Sequence, residues 1–222
     1  MKVICFDLDD TLYSEIDYLK SAYGEIVNFA YSKTKVSPPP TSKEVWSEMV
    51  AVYLRGENAF TWLNDTLNIQ IPISTYLDIY RNHIPSLLLH QNIQNRLQEW
   101  STQHHILGII TDGRVVQQRN KIKALGMQHW VADENIIISE SFGSEKPNEN
   151  NYAYFMNKFP SADQYIYIGD NPKKDFITPN RLGWTTIGIL DSGQNIHSQD
   201  VCIGNEYLPQ RWVKSFTDII LN

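Results

Sequence analysis

The stretch Val3-Ile4-Cys5-Phe6-Asp7-Leu8-Asp9-Asp10-Thr11 begins with a short apolar run, and aspartates follow that run at positions 7, 9 and 10. Residues 3–6 have the length and the continuous apolar character of a strand that is covered on both faces, as in a parallel sheet. Asp7 and Asp9 would then follow the carboxyl end of that strand. Open α/β sheets bind their ligands at this end of the strands, so the stretch predicts both a sheet and the place of a site.

Strand and helix patterns alternate along most of the remaining chain. The further apolar runs of strand length are 106–110, 136–138, 165–168 and 185–189. The helical patterns between them are 115–125 before Gly126, 150–159 before Pro160 and 179–182 before Gly183. This alternation predicts an α/β fold with a Rossmann-like, doubly wound parallel-sheet core and right-handed crossovers.

Residues 15–87 interrupt the alternation, because they contain amphipathic helical patterns and no convincing strand. The patterns cover 18–31, 44–54, 60–67 and 75–83, with Pro38-Pro39-Pro40 between the first two and Thr41 or Ser42 as a candidate helix cap. We therefore predict two domains: a catalytic core of residues 1–14 and 88–222, and an inserted α-helical cap domain of residues 15–87.

The composition is that of an acidic globular protein. The 222 residues carry a formal net charge of −6, which argues against a nucleic-acid partner. Cys5 and Cys202 are the two cysteines, too few for a disulfide framework or a cysteine zinc site. No apolar run has the length that crosses a membrane. We expect a soluble cytoplasmic enzyme, a monomer or homodimer, that binds a small molecule and neither nucleic acid nor membrane.

Polar residues that suit phosphate chemistry follow four of the predicted strands at one edge of the sheet. They are Asp7 and Asp9 after the first strand, Thr111, Asp112 and Gly113 after the second, Lys146 after the third, and Asp170 and Asp175 after the fourth. Each group alone is typical of an ordinary loop or turn. Their order behind separate strands is much more specific, and it predicts phosphoryl transfer from a monoester.

The two aspartates after the first strand are the predicted catalytic residues. Asp7 would attack phosphorus as a nucleophile, and Asp9 would give a proton to the leaving oxygen and later accept one from water. Asp7 and Asp170 would each give a carboxylate oxygen to Mg²⁺, which prefers oxygen ligands. The predicted ligands of the substrate phosphate are the Thr111 hydroxyl, the backbone N–H groups of Asp112 and Gly113, and the Lys146 ammonium.

These residues resemble the motifs of the haloacid dehalogenase-like (HAD) hydrolase superfamily, in its phosphatase branch with a helical C1-type cap, subfamily I. The matching segments are Asp7-Leu8-Asp9-Asp10-Thr11, Ile109-Ile110-Thr111, Lys146, and Gly169-Asp170 with Asp175. The resemblance implies an aspartyl-phosphate intermediate, Mg²⁺ as cofactor, and a metal contact from the backbone carbonyl of Asp9. It also implies that Asp175 is either a further metal ligand or a group that supports the ligands.

The substrate stays open at this point among nucleotides, flavin mononucleotide and sugar phosphates. A phosphosugar mutase of the same superfamily is the alternative, which Arg55, Arg81 and His83 in the predicted cap keep open. A non-catalytic binding protein would be signalled by loss of Asp7 or Asp9, and both are present. Phosphonate hydrolysis would need an amine from the cap, whose lysines are predicted to be solvated: Lys20, Lys33, Lys35 and Lys43.

Overall fold

The computed structural model describes residues 1–34 and 41–221. The chain divides into two compact units, Met1–Ser14 with Leu88–Asn222, and Glu15–Leu87. The proline segment Pro38-Pro39-Pro40 and Lys35 lie outside the described residues. That the second unit acts as a cap stays a prediction.

The first unit is built on a parallel sheet that has six strands within the described residues. They are β1 (Lys2–Phe6), β2 (Ile106–Thr111), β3 (Ile136–Ile138), β4 (Gln164–Gly169), β5 (Thr185–Ile189) and β6 (Arg211–Val213). The spatial order is 3-2-1-4-5-6, and every neighbouring pair is parallel. Val3 to Phe6 have no exposed surface, as expected for a central strand covered on both faces. The predicted α/β class with a Rossmann-like core is confirmed.

The described part of the second unit is helical. Its helices are α1 (Glu15–Tyr31), α2 (Ser42–Leu54), α3 (Ala59–Leu67) and α4 (Ile73–Asn82). Thr41 caps α2 with a capping box: its hydroxyl accepts the N–H of Glu44, and the Glu44 carboxylate accepts the N–H of Thr41. Aromatic side chains fill the helix interfaces, where the ring of Tyr18 meets Tyr80 edge to face with centroids 5.3 Å apart.

A serine, a histidine and a glutamate connect α4 to α1. His83 follows α4; its Nε2 lies 2.7 Å from the Ser21 hydroxyl, and its Nδ1 pairs with Glu25. The order of the groups is that of an acyl-transfer triad. Ser21 lies in the interior of α1, however, where the backbone N–H groups bond within the helix and cannot stabilise an oxyanion. We therefore assign the arrangement to helix packing.

Helices also connect the strands of the first unit. They are α5 (Gln91–Thr102), α6 (Val115–Ala124), α7 (Ser139–Phe142), α8 (Asn150–Lys158) and α9 (Ile177–Arg181). The predicted helices at 115–125, 150–159 and 179–182 are confirmed as α6, α8 and α9. We predicted neither α5 nor β6, although the buried side chains of α5 recur with helical spacing at Ile93, Leu97 and Trp100. In the described parts of the chain, no helix combines the length and apolar character needed to cross a bilayer.

The strand order places the candidate site at a topological switch point. Successive strands leave β1 in opposite directions, through β2 and β3 on one side and through β4, β5 and β6 on the other. Phe6, the last residue of β1, pairs with Ile109 of β2 and with Ile168 of β4, so the three strands end at one edge. Open sheets of this order bind ligands in the crevice at this point.

Candidate active site

Lys146 links the loop after β1 to the loop after β4. Its Nζ lies 2.8 Å from Asp7 Oδ1 and 2.7 Å from Asp175 Oδ1, and it donates to the Tyr167 hydroxyl at 3.1 Å. The Lys146 side chain has no exposed surface. Burial alone would lower the pKa of Lys146, but Asp175 and Asp7 outweigh it and hold the pKa well above its ordinary value. The ammonium group is therefore a fixed positive charge between two carboxylates.

Asp175 fixes the backbone at the end of β4. Its Oδ2 accepts the N–H of Asp170 at 3.1 Å and that of Asn171 at 2.8 Å. Burial opposes ionisation, yet the charge of Lys146 and these hydrogen bonds keep the pKa of Asp175 below its ordinary value. A Cβ at Gly169 would lie 2.6 Å from Asp175 Oδ2, which explains the glycine before Asp170. Both carboxylate oxygens of Asp175 thus have protein partners, which favours the supporting role that the sequence left open.

Asp170 receives hydrogen bonds from neutral groups. Thr11 donates to its Oδ1 at 3.3 Å, and the Asn195 side chain donates to its Oδ2 at 3.0 Å. Within residues 1–34 and 41–221, these two groups are the hydrogen-bond donors to the Asp170 carboxylate. Burial, followed by the charges of Asp175 and Asp7, raises the pKa of Asp170 to about 9. Unlike Asp175, this carboxylate has no direct cationic partner in the described chain.

The carboxylates of Asp7, Asp170 and Asp175 form a group that fits a hard cation. Each offers one oxygen, and these oxygens lie within 4.8 Å of one another. Burial raises the pKa of Asp7 to about 6, against the opposing charge of Lys146. An all-oxygen donor set with uncompensated negative charge suits Mg²⁺. Asp9 does not join this group through its carboxylate, so only the predicted contact through its backbone carbonyl stays open.

The Asp9 carboxylate instead points to α6. Lys121 Nζ lies 2.7 Å from Asp9 Oδ1, Gln118 donates to Oδ2 at 2.9 Å, and the Tyr13 hydroxyl also donates to Oδ1. Burial would raise the pKa of Asp9, but Lys121 and these hydrogen bonds keep it below its ordinary value. The sequence segment Gln118-Arg119-Asn120-Lys121 also resembles the family, but sequence reasoning gave neither Gln118 nor Lys121 a role. The two residues lie three positions apart on the helix, so they share one face, and both are buried.

Gln118 also connects the first motif to the second. Its side-chain amide donates to the Thr111 hydroxyl at 2.6 Å as well as to Asp9. Thr111 is buried at the end of β2, as the predicted site requires. One amide group therefore sets the positions of the predicted acid/base and of a predicted phosphate ligand.

Asp112 and Gly113 make contacts that the sequence did not predict. The Asp112 carboxylate accepts the backbone N–H of Lys146 at 3.0 Å and pairs with Lys174 at 3.2 Å. The Gly113 N–H donates to the Ser139 hydroxyl at 3.0 Å. Asp112 thus positions the loop that carries Lys146, and a phosphate would have to displace Ser139 to accept a hydrogen bond from Gly113.

Comparison with known proteins places these residues in one family. The family model of the haloacid dehalogenase-like hydrolases matches residues 4–189. Glyceraldehyde 3-phosphate phosphatase of Methanocaldococcus jannaschii is 27% identical over 198 residues, which cover 86% of this chain and 85% of that protein. The Methanopyrus kandleri protein of the same name is 25% identical over 208 residues, with 85% and 84% covered.

Solved structures share the fold. YfnB from Bacillus subtilis, described as a HAD-hydrolase and bound to magnesium, superposes with a TM-score of 0.68 at 16% identity, covering 97% of this chain and 95% of that one. A HAD phosphatase from Thermococcus onnurineus gives 0.60 at 16% identity, with 98% and 95% covered. The predicted superfamily is confirmed, whereas the finer placement in C1-cap subfamily I stays a prediction. The family match spans every predicted site residue from Asp7 to Asp175, and the chain belongs to the haloacid dehalogenase-like hydrolase family.

Proposed function

We propose that this hydrolase is a Mg²⁺-dependent phosphatase that cleaves a small phosphomonoester through an aspartyl-phosphate on Asp7. The observation that carries the proposal is the grouping of Asp7, Asp170 and Asp175 with Lys146 at the switch point of the sheet. A buried cation site beside a buried nucleophile and a fixed ammonium group is what phosphoryl transfer from an anionic ester needs.

The charges around the site support a divalent cation. Lys146 offsets Asp7 and Asp175, while Asp170 has neutral partners and a pKa raised to about 9, mainly by burial and then by neighbouring carboxylates. Asp7 and Asp170 would hold Mg²⁺ through carboxylate oxygens, and Asp9 through its backbone carbonyl. When bound, Mg²⁺ would keep Asp7 ionised and neutralise negative charge on the transferring oxygens.

The residues of the chain divide the reaction into two displacements. An Asp7 oxygen attacks phosphorus, the bond to the leaving oxygen breaks, and that oxygen takes a proton from Asp9, which enters this step in its protonated form and leaves it ionised. Water then attacks the phosphorus of the aspartyl-phosphate and gives a proton to Asp9, which regenerates Asp7 and releases inorganic phosphate. Lys121 and Gln118 favour the ionised form of Asp9, which is the form that accepts the proton in the second displacement.

A small sugar phosphate is the substrate class that the relatives favour, because both archaeal proteins are named for glyceraldehyde 3-phosphate. We propose that Glu15–Leu87 acts as the cap that selects the leaving group.

Two of the three basic residues that left the mutase alternative open have partners inside this unit. Arg55 pairs with Glu57 at 2.8 Å, and His83 pairs with Glu25. These pairs favour hydrolysis over the mutase alternative.

The lysines of the described part of this unit do not support phosphonate chemistry either. Lys20 pairs with Asp17 at 3.3 Å and its side chain is 42% exposed. Lys33 and Lys43 are exposed. A Schiff-base amine needs a buried setting that lowers its pKa.

Release of inorganic phosphate from a panel of esters tests the proposal. The panel compares kcat/KM for glyceraldehyde 3-phosphate, other sugar phosphates, nucleotides and flavin mononucleotide, with Mg²⁺ and after EDTA treatment. Asp7→Asn should abolish turnover and leave the circular dichroism spectrum unchanged, since it removes the nucleophile at nearly constant volume. Asp200→Asn, at an exposed position of the same unit, is the matched control. Wild-type turnover by Asp7→Asn, or turnover that survives EDTA, would contradict the proposal.

A further inference from the structure

We propose that Asn195 is a positioning residue for the metal site, which orients the Asp170 carboxylate from the loop after β5. The inference rests on the proposed function, because it assigns a role toward the same cation. Asn195 donates from its side-chain amide to Asp170 Oδ2 at 3.0 Å. Neither the motifs nor their spacing single out Asn195, since it lies 25 residues along the chain from Asp170.

The chemistry of the donor matters at this position. A lysine beside Asp170 would orient the carboxylate but would also neutralise it and repel a cation. An amide N–H is a directional donor without net charge, so it fixes the carboxylate and leaves the negative charge available to a metal. Groups that hold metal ligands by hydrogen bonds in this way commonly set metal affinity.

A turn in the loop after β5 holds the backbone of Asn195 in place. The Asp191 carboxylate accepts three successive backbone N–H groups through its Oδ1, from Gly193 at 2.7 Å, Gln194 at 2.9 Å and Asn195 at 3.0 Å. Gly193 has φ +89°, a left-handed conformation that glycine adopts without strain. The turn therefore fixes the backbone of Asn195 before its side chain reaches Asp170.

Further contacts connect the same loop to the acidic loops of the site. Gln199 donates to the backbone carbonyl of Asp170 and to that of Ile189, each at 2.8 Å, and accepts the N–H of Asp191 at 2.9 Å. The N–H of Ile196 donates to Asp10 Oδ2 at 2.9 Å. Asp170 is thus held through both its side chain and its main chain, and Asn195 supplies the side-chain contact.

Packing alone does not explain the asparagine. Asn195 is only partly buried and borders an open cavity of about 200 Å³, so its removal leaves no enclosed void. The preceding residue, Gln194, also has a side-chain amide, but it is exposed and meets Ser14 at 3.5 Å rather than Asp170. Gln194 is therefore the matched control: the same functional group in the same loop without the contact.

Calorimetric titration with Mg²⁺ alone, on chelator-stripped full-length protein, tests the assignment without requiring turnover. Asn195→Ala removes the donor, and Asn195→Leu removes it at similar volume. We expect the Mg²⁺ Kd to rise about 10-fold or more in both variants. In Gln194→Ala the Kd should stay within about twofold of wild type, and Asp170→Asn should lose Mg²⁺ binding. Circular dichroism checks that each variant is folded.

The outcomes separate this inference from the proposed function. Mg²⁺ binding by both Asn195 variants with the wild-type Kd would overturn the positioning role. Wild-type binding by Asp170→Asn would overturn both the metal site and that role. If wild type bound Mg²⁺ but released phosphate from no ester, the proposed phosphatase activity would fail, while weaker binding by the Asn195 variants would still support the positioning role.

Discussion

Gly169→Ala tests whether Asp175 is an immobile anchor of the site. Gly169 is the last residue of β4, and its Cα faces the buried Asp175 carboxylate. An added Cβ would lie 2.6 Å from Asp175 Oδ2 and 2.9 Å from its Cγ. Contacts under 3.0 Å are essentially never seen for a real Cβ, so the carboxylate or the strand must move by at least 0.4 Å.

The size of the effect follows from what that carboxylate holds. Asp175 pairs with Lys146 at 2.7 Å and accepts the N–H groups of Asp170 and Asn171, and all four residues are buried. Overpacking a core costs about 1–3 kcal/mol, and weakening one hydrogen bond to a charged group costs about 1.5–3 kcal/mol. Since part of the strain is relieved by the movement itself, we expect the free energy of unfolding to fall by roughly 2–4 kcal/mol. Turnover should fall by about 10-fold to 100-fold, because Lys146 and Asp170 shift together.

Urea unfolding followed by circular dichroism and steady-state release of phosphate measure the two quantities. Gly204→Ala is the matched control, since its added Cβ would approach Glu206 even more closely. Glu206 is exposed and can rotate away, so this variant should keep wild-type stability and turnover. A Gly169→Ala protein within about 0.5 kcal/mol of wild type with unchanged turnover would show that Asp175 is not a fixed anchor. Equal losses in both variants would show that close approach alone does not decide the effect.

Two further variants test the charges of the site. Lys121→Met should lower kcat by roughly 10-fold to 100-fold, because Asp9 loses its cationic partner. The control is Lys123→Met, on the exposed face of the same helix, which should not change kcat. Equal kcat in both variants would refute the role of Lys121. Asp170→Asn should be more stable than wild type toward urea in EDTA at neutral pH. A carboxyl group whose pKa is raised to about 9 in the folded protein must take up a proton when the chain folds at that pH, and asparagine need not. Added Mg²⁺ should then stabilise wild type and not the variant, and an equal gain in both would contradict the metal site.

The sequence was sufficient to predict where Asp7, Lys146 and Asp170 meet. Asp7 and Asp170 directly follow apolar runs of strand length, and parallel strands place their carboxyl ends at one edge. The position of Lys146 in a loop after β3 was less constrained, and only its place in the order of motifs indicated the site. Local pattern and topology together therefore predicted the residues that the fold presents at this edge.

The residues that support these groups could not be predicted in the same way. Gln118, Lys121 and Asn195 act through single side-chain contacts with residues that lie on other segments of the chain. Such contacts depend on distances of about 3 Å between elements, which neither hydrophobic period nor strand order specifies. Asp175 is intermediate: its motif indicated its importance, but only the contacts of its two oxygens distinguish an anchor from a ligand.

The distribution of lysines explains why four nearby aspartates can have different roles. Lys121 pairs with Asp9, which favours the ionised form of that carboxylate, and Lys146 pairs with Asp7 and Asp175, which holds the proposed nucleophile and its anchor together. Within the described residues, the donors to the Asp170 carboxylate are neutral groups, so its charge is left for a cation. A lysine in place of Asn195 would remove that difference, because it would satisfy Asp170 from within the chain. The neutrality of Asn195 is therefore as important to the proposed chemistry as the positive charge of Lys146.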